Sequence, residues 1–329
     1  MVRKPPTSAT VTFLTAVTFA LPASSIAAAP AAAFQPNKPV TLIVPYGAGG
    51  GTDAVGRLFA QKLAELWNQP VVVENRAGAN GVIGSAFVAK AAPDGYTLLL
   101  SVASIAINPY MMPKLPYDTA TAFTPITSLA LPVVVMVASP KIEAKDVPTF
   151  VGAARQQPGK FTFASTETST QLYGERLKEE QHFAMVHVPY KGSTQWMTDL
   201  MAGNVDTGFS SVTSALPFLK DGKLKVLGVA SARRSRLLPD VPTFSEQGIA
   251  DMESRSWYGL FGPGIMPPAT VQAIHQDVKR VLASADVIEK LQFLGAEPGG
   301  EAPAQFAKRF QADLAEYGVL IKRLNLTGQ

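Results

Sequence analysis

Short apolar runs alternate with amphipathic stretches through the first part of the chain. Residues 40–44 form a nearly continuous apolar run of strand length, which Pro45 and a series of glycines bring to an end. The next stretch repeats apolar residues every three or four positions, as one face of a helix does: Val55, Leu58, Phe59, Leu63 and Leu66. Further strands are predicted over 71–73 and 96–100, with a second helix between them over 81–91. This strand–helix–strand–helix–strand order favours a parallel sheet covered by helices on both faces.

A second α/β series follows two extended segments at 123–130 and 133–138. Its strands are predicted over residues 161–164, 184–188, 205–209 and 224–230. The helices predicted between these strands cover residues 170–180 and 194–202. From residue 267 onward the apolar periodicity is helical, over residues 269–282, 285–294 and 304–324. Each half of the chain thus offers strands, glycine- or hydroxyl-rich loops and then helices, which indicates two α/β lobes.

The N-terminal residues have the features of an export signal. A positively charged start precedes an apolar stretch at about residues 11–26, and the alanines at 31–33 form a small-x-small cleavage pattern. Pro22 and several hydroxyl residues interrupt the apolar stretch, which is too short for a stable membrane span. We predict a signal peptide over residues 1–33 and a periplasmic mature protein; an uncleaved anchor is the alternative.

Composition and charge exclude several classes of function. The chain has no cysteine, which excludes disulfides, thiolate metal sites and cysteine nucleophiles. The formal net charge is +4, and two of those positive charges lie in the predicted signal, so the mature protein is not basic enough to indicate nucleic-acid binding. His182 and His187 lie at an odd spacing in an extended stretch and so point to opposite faces, and no Gly-x-Ser-x-Gly motif is present. We therefore expect no metal, no cofactor and no catalytic centre.

A glycine-rich loop between the first predicted strand and helix is the strongest local signal. Glycines let a ligand approach the main chain, and the helix start that follows presents free N–H groups at the positive end of the helix dipole. Such a loop favours an anion, either a carboxylate or a phosphate, without a charged side chain. The candidate ligand contacts are Tyr46, Gly47, Ala48, Gly49, Gly50, Thr52 and Asp53, of which Asp53 is expected mainly to brace the loop.

The same loop allows two other interpretations. It can be a tight turn in which Thr52 or Asp53 caps the helix. It also contains Gly49-x-Gly51-x-x-Ala54, a degenerate dinucleotide fingerprint, and Glu74 ends the next strand about where a ribose-binding acid would lie. An exported oxidoreductase with a nucleotide cofactor is therefore the alternative to a carboxylate-binding protein.

Hydroxyl-rich loops in the second half of the chain give the matching candidates. Residues 165–170 lie between a predicted strand and a predicted helix, where hydroxyls can cap the helix and donate to a bound anion. Residues 190–192 form a second such loop, in which a lysine can supply a counter-charge and a tyrosine can supply a cleft wall. The candidates are Ser165, Thr166, Thr168, Ser169, Tyr190, Lys191 and Gly192.

Several motifs occur in order along nearly the whole predicted mature chain. They are Lys38-Pro39-Val40 through Pro45-Tyr46, Gly49-Gly50-Gly51-Thr52-Asp53, Glu74-Asn75-Arg76, Ala91-Ala92-Pro93-Asp94-Gly95-Tyr96-Thr97-Leu98, His187-Val188-Pro189-Tyr190-Lys191-Gly192, Asp199-Leu200 with Gly203-Asn204-Val205-Asp206, and Val241-Pro242-Thr243-Phe244-Ser245-Glu246-Gln247-Gly248. In these motifs the chain resembles the periplasmic receptors of tripartite tricarboxylate transporters, also called Bug-type proteins.

The resemblance implies the two-lobed Venus-flytrap fold of periplasmic binding proteins, an α/β fold in which each lobe is a mostly parallel sheet flanked by helices. Residues 34–132 and 258–329 would form lobe 1, and residues 133–257 would form lobe 2. The ligand would be a small organic carboxylate in the cleft between the lobes. Further candidate contacts are Ser101 and Ser104, where the third strand ends in an open sheet, and Asp206.

The resemblance also implies a partner. A membrane permease would receive the closed, loaded receptor, and an ion gradient across the permease would supply the energy for transport. A sensory ligand-binding subunit without a transport role is a further alternative. We expect the receptor to be a monomer and not an enzyme.

Three positions depart from the pattern of the family. Thr166-Glu167-Thr168 replaces glycine-rich residues, Gln195-Trp196 stands near the usual Pro-Ala pair, and Ala77 replaces a common proline. Because the first two lie in or beside the expected pocket, the identity of the ligand does not transfer from a relative. A carboxylate at Glu167 would repel a bound carboxylate unless it points outward, and we expect Trp196 in the core.

Overall fold

The computed structural model describes residues 1–4, 34–112, 114–166, 168–190, 192–219, 223–324 and 326, without the side chains at 193, 194, 213, 216 and 217. Most of the predicted signal peptide lies outside the described residues, as do the candidate Lys191 and the departing residue Glu167. The chain divides into a short N-terminal unit, Met1–Ala32, and a folded unit, Ala33–Gln329, which contains every strand and helix named below.

Strands and helices alternate along most of the folded unit. The strands are β1 (Val40–Val44), β2 (Val71–Asn75), β3 (Thr97–Val102), β4 (Phe123–Pro132), β5 (Val134–Ala138), β6 (Thr162–Ser165), β7 (Val186–Pro189), β8 (Thr207–Ser211), β9 (Lys225–Ala230), β10 (Tyr258–Pro263) and β11 (Ala296–Pro298). The helices are α1 (Gly51–Trp67), α2 (Val82–Ala89), α3 (Ser104–Met111), α4 (Val147–Gln156), α5 (Thr168–Glu180), α6 (Ser193–Ala202), α7 (Val212–Leu219), α8 (Pro268–Leu282), α9 (Ala285–Phe293) and α10 (Pro303–Arg323).

The strands form two sheets with the orders β11-β4-β10-β3-β1-β2 and β7-β6-β8-β5-β9. In the first sheet β1 pairs in parallel with β2 and β3, while β10 runs antiparallel to β3 and β4, and β11 runs antiparallel to β4. In the second sheet β6 pairs in parallel with β7 and β8, and β5 runs antiparallel to β8 and β9. Most strands of each sheet share one direction, so the predicted class, an α/β fold with two mostly parallel sheets, is confirmed.

The chain crosses between the two sheets twice. β4 ends at Pro132 in the first sheet, and β5 begins at Val134 in the second. The chain returns through residues 231–257 and re-enters the first sheet as β10, after which α8 and α10 pack against β4. Lobe 1 is the first sheet with the helices that pack on it, and lobe 2 is the second sheet with its own helices.

Both faces of the first sheet are buried at β1 and β3, which explains the apolar runs of these strands. Successive residues of β1 point to opposite faces. Leu42 and Val44 pack into the core beneath α1 and α8, whereas Ile43 packs into an aromatic cluster beside α10. That cluster contains Trp257, Phe261, Phe306 and Phe310, all of them fully buried.

The hydrophobic pattern does not predict α3, α4, α7, β10 or β11. α3 is short and contains Pro109, and β10 contains two glycines and ends at Pro263, so both segments look like loops locally. α4 begins where the Asp146 carboxylate accepts a hydrogen bond from the Thr149 N–H at 2.8 Å. Packing against residues that are distant in sequence fixes these elements.

Candidate functional site

A cavity of about 760 Å³ lies between the two lobes, where the parallel strands of both sheets end. Its lobe 1 wall follows β1 and β2 and consists of Pro45, Tyr46, Gly47, Ala48, Gly50, Gly51, Thr52 and residues 77–81. Its lobe 2 wall follows β6, β7 and β8 and includes Thr166, Ser169, Thr170, Tyr190, Gly192, Gln195, Ser210, Ser211 and Ser214. Between the walls lie Val102 and residues near the two crossings: Pro132, Val134, Ser256, Trp257 and Tyr258.

The start of α1 opens directly onto this cavity. Gly50 is its cap residue and makes no side-chain capping bond, so the first turn presents main-chain N–H groups. The Gly51 N–H donates to the Ser214 Oγ of lobe 2 at 3.3 Å. The close approach requires a glycine, because a Cβ at position 51 would lie 2.6 Å from the Tyr258 Oη and 3.2 Å from two serine Oγ atoms, those of Ser211 and Ser214.

Asp53 braces the glycine loop from beneath. Its carboxylate accepts hydrogen bonds from the Gly49 N–H at 2.9 Å, the Arg57 Nε at 3.0 Å and the Asn75 Nδ2 at 3.0 Å. Burial by itself would raise the pKa of Asp53, but these donors outweigh it and the pKa is lowered. Since Asp53 is buried and does not line the cavity, it supports the loop without facing a ligand.

The loop before α2 is part of the lobe 1 wall that the sequence does not single out. Its four residues all have positive φ: 137° at Gly78, 45° at Ala79, 51° at Asn80 and 88° at Gly81. Two of these are not glycine, and such backbone is held only where its surroundings fix it. The available signal was the Gly78 and Gly81 pair around an asparagine, a pattern typical of tight turns.

Tyr190 contributes its ring to the lobe 2 wall. Its hydroxyl donates to the Asp199 Oδ2 at 2.8 Å, within the same lobe. Burial and the neighbouring Asp199 carboxylate raise the pKa of Tyr190 to about 12. The residue therefore remains a neutral phenol whose proton is already engaged.

The described residues that line the cavity include no charged side chain. The polar groups they offer are main-chain N–H groups at the starts of α1, α5 and α6, hydroxyls at the starts of α5 and α7, and the amides of Asn80 and Gln195. Helix starts and hydroxyls of this kind stabilise an anion without a counter-charge. Trp196 is buried in the core of lobe 2, as expected.

Several predicted site residues lie outside the cavity. Gly49 turns its N–H toward Asp53, and Ser101 has a buried hydroxyl with no hydrogen-bond partner among the described residues. Ser104 and Thr168 instead make hydrogen bonds between the lobes. Lys191 falls outside the described residues.

Asp206 is a candidate contact from the sequence that lies away from the cavity. β8 begins at Thr207, so Asp206 precedes the strand, whereas the cavity lies beyond the strand's other end at Ser211. Its carboxylate accepts hydrogen bonds from the Thr162 N–H and hydroxyl, both at 2.8 Å. Asp206 therefore joins β6 to β8 and lies away from the cavity.

Hydrogen bonds connect the lobes around the cavity, in addition to apolar contacts. The Gly51 N–H reaches Ser214, and the Tyr258 hydroxyl donates to the Ser211 Oγ at 3.5 Å. The Asn80 Nδ2 donates to the Thr168 Oγ1 at 2.7 Å, and the Ser104 hydroxyl donates to the Ser169 Oγ at 3.2 Å. The lobes are thus in contact around the space that they enclose.

Ser165 lies just behind the lobe 2 wall and pairs with a histidine. Its Oγ is 2.8 Å from the His187 Nε2, and the His187 ring packs on Phe163 with 4.9 Å between the ring centroids. Burial, together with the nearby Lys178 charge, lowers the pKa of His187 from 6.5 to about 4. His187 is therefore neutral in the folded protein at neutral and mildly acidic pH.

This histidine is expected to make stability depend on pH. In the unfolded chain the imidazole takes up a proton near pH 6.5, whereas in the folded protein it does so only near pH 4, so stability falls as the pH drops between these values. In urea unfolding at pH 7 and pH 4.5, the His187→Gln variant should lose about 2 kcal/mol less than the wild type. Equal losses of stability in both proteins would contradict the assignment of this pH dependence to His187. The contribution of His275 is the same in both proteins and cancels in the comparison.

The described residues contain no group of three or more His, Asp or Glu side chains placed to hold a metal ion, and no helix among them is long and apolar enough to cross a membrane. Glu74, the ribose-binding candidate of the oxidoreductase alternative, is paired with the Arg76 Nε at 2.7 Å. The described residues thus give no further support to an oxidoreductase with a nucleotide cofactor.

Comparison with known proteins gives the family. Residues 55–326 match the sequence family described as the tripartite tricarboxylate transporter family receptor. Protein BugT of Bordetella pertussis is 33% identical over 88% of this chain and 90% of its own. The structure of R. palustris Rpa4515 with adipate superposes with a TM-score of 0.85 at 30% identity, over 89% of this chain and 99% of that chain. The structure of MatC from Rhodopseudomonas palustris with bound malate superposes with a TM-score of 0.79 at 30% identity, over 87% of this chain and 99% of that chain. Solute-binding receptors of one kind thus share both the sequence and the two-lobed fold, and this chain belongs to the Bug-type receptor family of the tripartite tricarboxylate transporters.

Proposed function

We propose that this protein is a periplasmic receptor that captures a small carboxylate between its lobes and delivers it to a membrane permease. The observation that carries the proposal is the lining of the cavity. Helix starts and hydroxyls converge on it, and none of the described residues that line it is charged. Main-chain N–H groups at helix starts bind carboxylates well. The relatives solved with adipate and malate support a dicarboxylate among the candidates.

The proposed ligand contacts come from both lobes. In lobe 1 they are the main chain of Gly47, Ala48, Gly50, Gly51 and Thr52, with Tyr46 as a wall. In lobe 2 they are Thr166, Ser169, Thr170, Gly192, Ser210 and Ser211, with the Tyr190 ring as a wall. Lys191, which lies outside the described residues, stays a proposed counter-charge. Asp53, Ser165 and Thr168 are proposed to position these contacts and not to touch the ligand.

Closure is proposed to be driven by the ligand. The start of α1 belongs to lobe 1 and the starts of α5, α6 and α7 belong to lobe 2, so a carboxylate bonds to both sets only when the lobes meet. Charge-assisted hydrogen bonds are worth roughly 1.5–3 kcal/mol each, and three or four suffice to shift an open–closed equilibrium. The proposed lobe boundaries, residues 34–132 with 258–329 against residues 133–257, are supported by the crossings near Pro132 and Tyr258.

The remaining parts of the proposal rest on the family. The signal peptide over residues 1–33 would direct export, and the permease of a tripartite transporter would receive the loaded, closed receptor. A monomer suffices, because a single chain supplies both walls of the cavity. The energy for transport would come from the ion gradient that the permease uses.

A thermal-shift screen tests the proposed function. The processed protein would be screened against mono-, di- and tricarboxylates, aliphatic and aromatic, and against nucleotide cofactors. A ligand at about 100 times its dissociation constant adds about 2.7 kcal/mol to the free energy of unfolding. Stabilisation by one class of acid is expected. Stabilisation by a nucleotide cofactor, with none by any acid, would refute the receptor proposal.

Tyr190 gives a prediction about how the wall works. Because its hydroxyl is engaged by Asp199, the ring supplies the contact area, and Tyr190→Phe should change ligand affinity less than about threefold. Tyr190→Ala should lower it at least about tenfold, through the loss of apolar contact. Titration calorimetry of both variants measures the difference. A large loss in Tyr190→Phe would show that the phenol proton bonds to the ligand instead.

A further inference from the structure

The loop of residues 78–81 holds an asparagine whose side chain reaches across the cleft. Asn80 lines the cavity, is half-buried and has a φ of 51°. Its Nδ2 donates to the Asn108 Oδ1 of lobe 1 at 2.6 Å and to the Thr168 Oγ1 of lobe 2 at 2.7 Å. One side-chain amide therefore connects the lobe 1 wall to the start of α5 in lobe 2.

The hydrogen-bond network fixes which way this amide is turned. The Asn108 Nδ2 donates to the Asn80 main-chain oxygen at 3.1 Å, and a carbonyl can only accept. The other terminal atom of the buried Asn108 is therefore Oδ1, an acceptor, and its partner on Asn80 must be the donor Nδ2. Both hydrogens of that Nδ2 are then in use, one toward each lobe.

The remaining atom of the amide, Asn80 Oδ1, makes no hydrogen bond to any residue that the structure describes. It is an acceptor only, in a wall that otherwise offers main-chain donors and hydroxyls able to act either way. A carboxylate, which has no proton to give, cannot satisfy it. A hydroxyl or amino group on the ligand can.

We propose that Asn80 is a specificity-determining residue that accepts a hydrogen bond from a hydroxyl or amino substituent of the ligand. The preferred ligands are then hydroxy- or amino-substituted carboxylates, and unsubstituted acids of the same length bind less well. The inference rests on the proposed carboxylate-binding function and names the substrate class of that site. An analogue that lacks the substituent leaves Oδ1 without a partner in the closed cleft, which is how buried polar groups discriminate between substrates.

The test compares ligands that differ by a single hydroxyl. Affinities for malate and succinate, and for mandelate and phenylacetate, are measured by calorimetry on the processed protein. Within a pair that binds, the wild type should bind the hydroxy acid at least about tenfold more tightly than the unsubstituted acid. In Asn80→Gly, which removes the amide and tolerates a positive φ, this ratio should fall to within about twofold.

Thr168→Val is the matched control. It removes the acceptor in lobe 2 but leaves Asn80 and its Oδ1 in place, so it should weaken both acids of a pair in parallel and keep their ratio. A wild-type ratio near one, or a ratio that survives in Asn80→Gly, would overturn the inference while leaving the receptor function intact. If no acid binds at all, the proposed function fails and this inference fails with it.

Discussion

Replacing Gly51 by alanine is expected to weaken ligand binding about 100-fold, because the added methyl group occupies the space into which the lobes close. The Cβ would lie 2.6 Å from the Tyr258 Oη and 3.2 Å from the serine hydroxyls of lobe 2. Overpacking of this kind costs about 1–3 kcal/mol, and a 100-fold change in dissociation constant corresponds to about 2.7 kcal/mol. Titration calorimetry with the acid found by the thermal-shift screen measures the loss.

Two further variants show whether closure is the cause. Gly152→Ala makes the same change in α4, away from the cavity, and its Cβ would meet nothing within 4 Å, so affinity should stay within about threefold of the wild type. Adding Tyr258→Phe to Gly51→Ala removes the nearest clashing atom, so the double variant should bind the ligand about tenfold more tightly than Gly51→Ala alone. Wild-type affinity in Gly51→Ala would show that the lobes do not meet at this point in the bound state.

Replacing Trp257 by alanine is expected to destabilise the protein by about 3–5 kcal/mol. Its ring is fully buried and packs against Phe261, Phe306 and Phe310, with 5.3–6.1 Å between the ring centroids. Its Nε1 donates to the buried Asp313 carboxylate at 2.8 Å, so the substitution also leaves a buried acceptor without its donor. The residue lies where the chain re-enters lobe 1 and joins β10 to α10. Urea unfolding measures the loss.

Trp67 offers a matched control for that variant. Its Nε1 also donates to a carboxylate, that of Asp277 at 2.8 Å, but the ring is only half-buried at the end of α1. Trp67→Ala should therefore lose less, about 1–2 kcal/mol. If the two variants lost the same stability, the aromatic cluster beside α10 would not be a tightly packed part of the core.

Local patterns in the sequence predict the elements whose burial repeats regularly. The apolar run at 40–44 is β1 to the residue, and the i, i+3, i+4 pattern after it is α1, because both are buried on defined faces. β10 is different. It lies between β3 and β4 in the middle of the first sheet, yet its glycines and terminal proline look like a loop. Only its pairing with strands far away in the sequence makes it a strand.

The site was predictable where glycines or a run of hydroxyl residues follow a predicted strand, and not where single serines do. The loop after β1 is evident because a run of glycines between a strand and a helix indicates that the main chain turns tightly or meets a ligand there. Ser210, Ser211 and Ser214 line the opposite wall, but serines are common at the ends of strands and starts of helices. Their importance comes from the place of β8 beside β6 in the second sheet. Asp206 was a candidate from the family motifs, and it precedes β8, at the other end of the strand from the cavity.

Recognition of a carboxylate by the cleft is tested most directly by comparing the best acid from the screen with its neutral primary amide, by titration calorimetry on the processed protein. We expect the acid to bind and the amide to bind at least about 100-fold more weakly, because the helix starts and hydroxyls of the cleft favour an anion. Equal binding of acid and amide would refute carboxylate recognition, since the cavity would then select its ligand by shape and apolar contact.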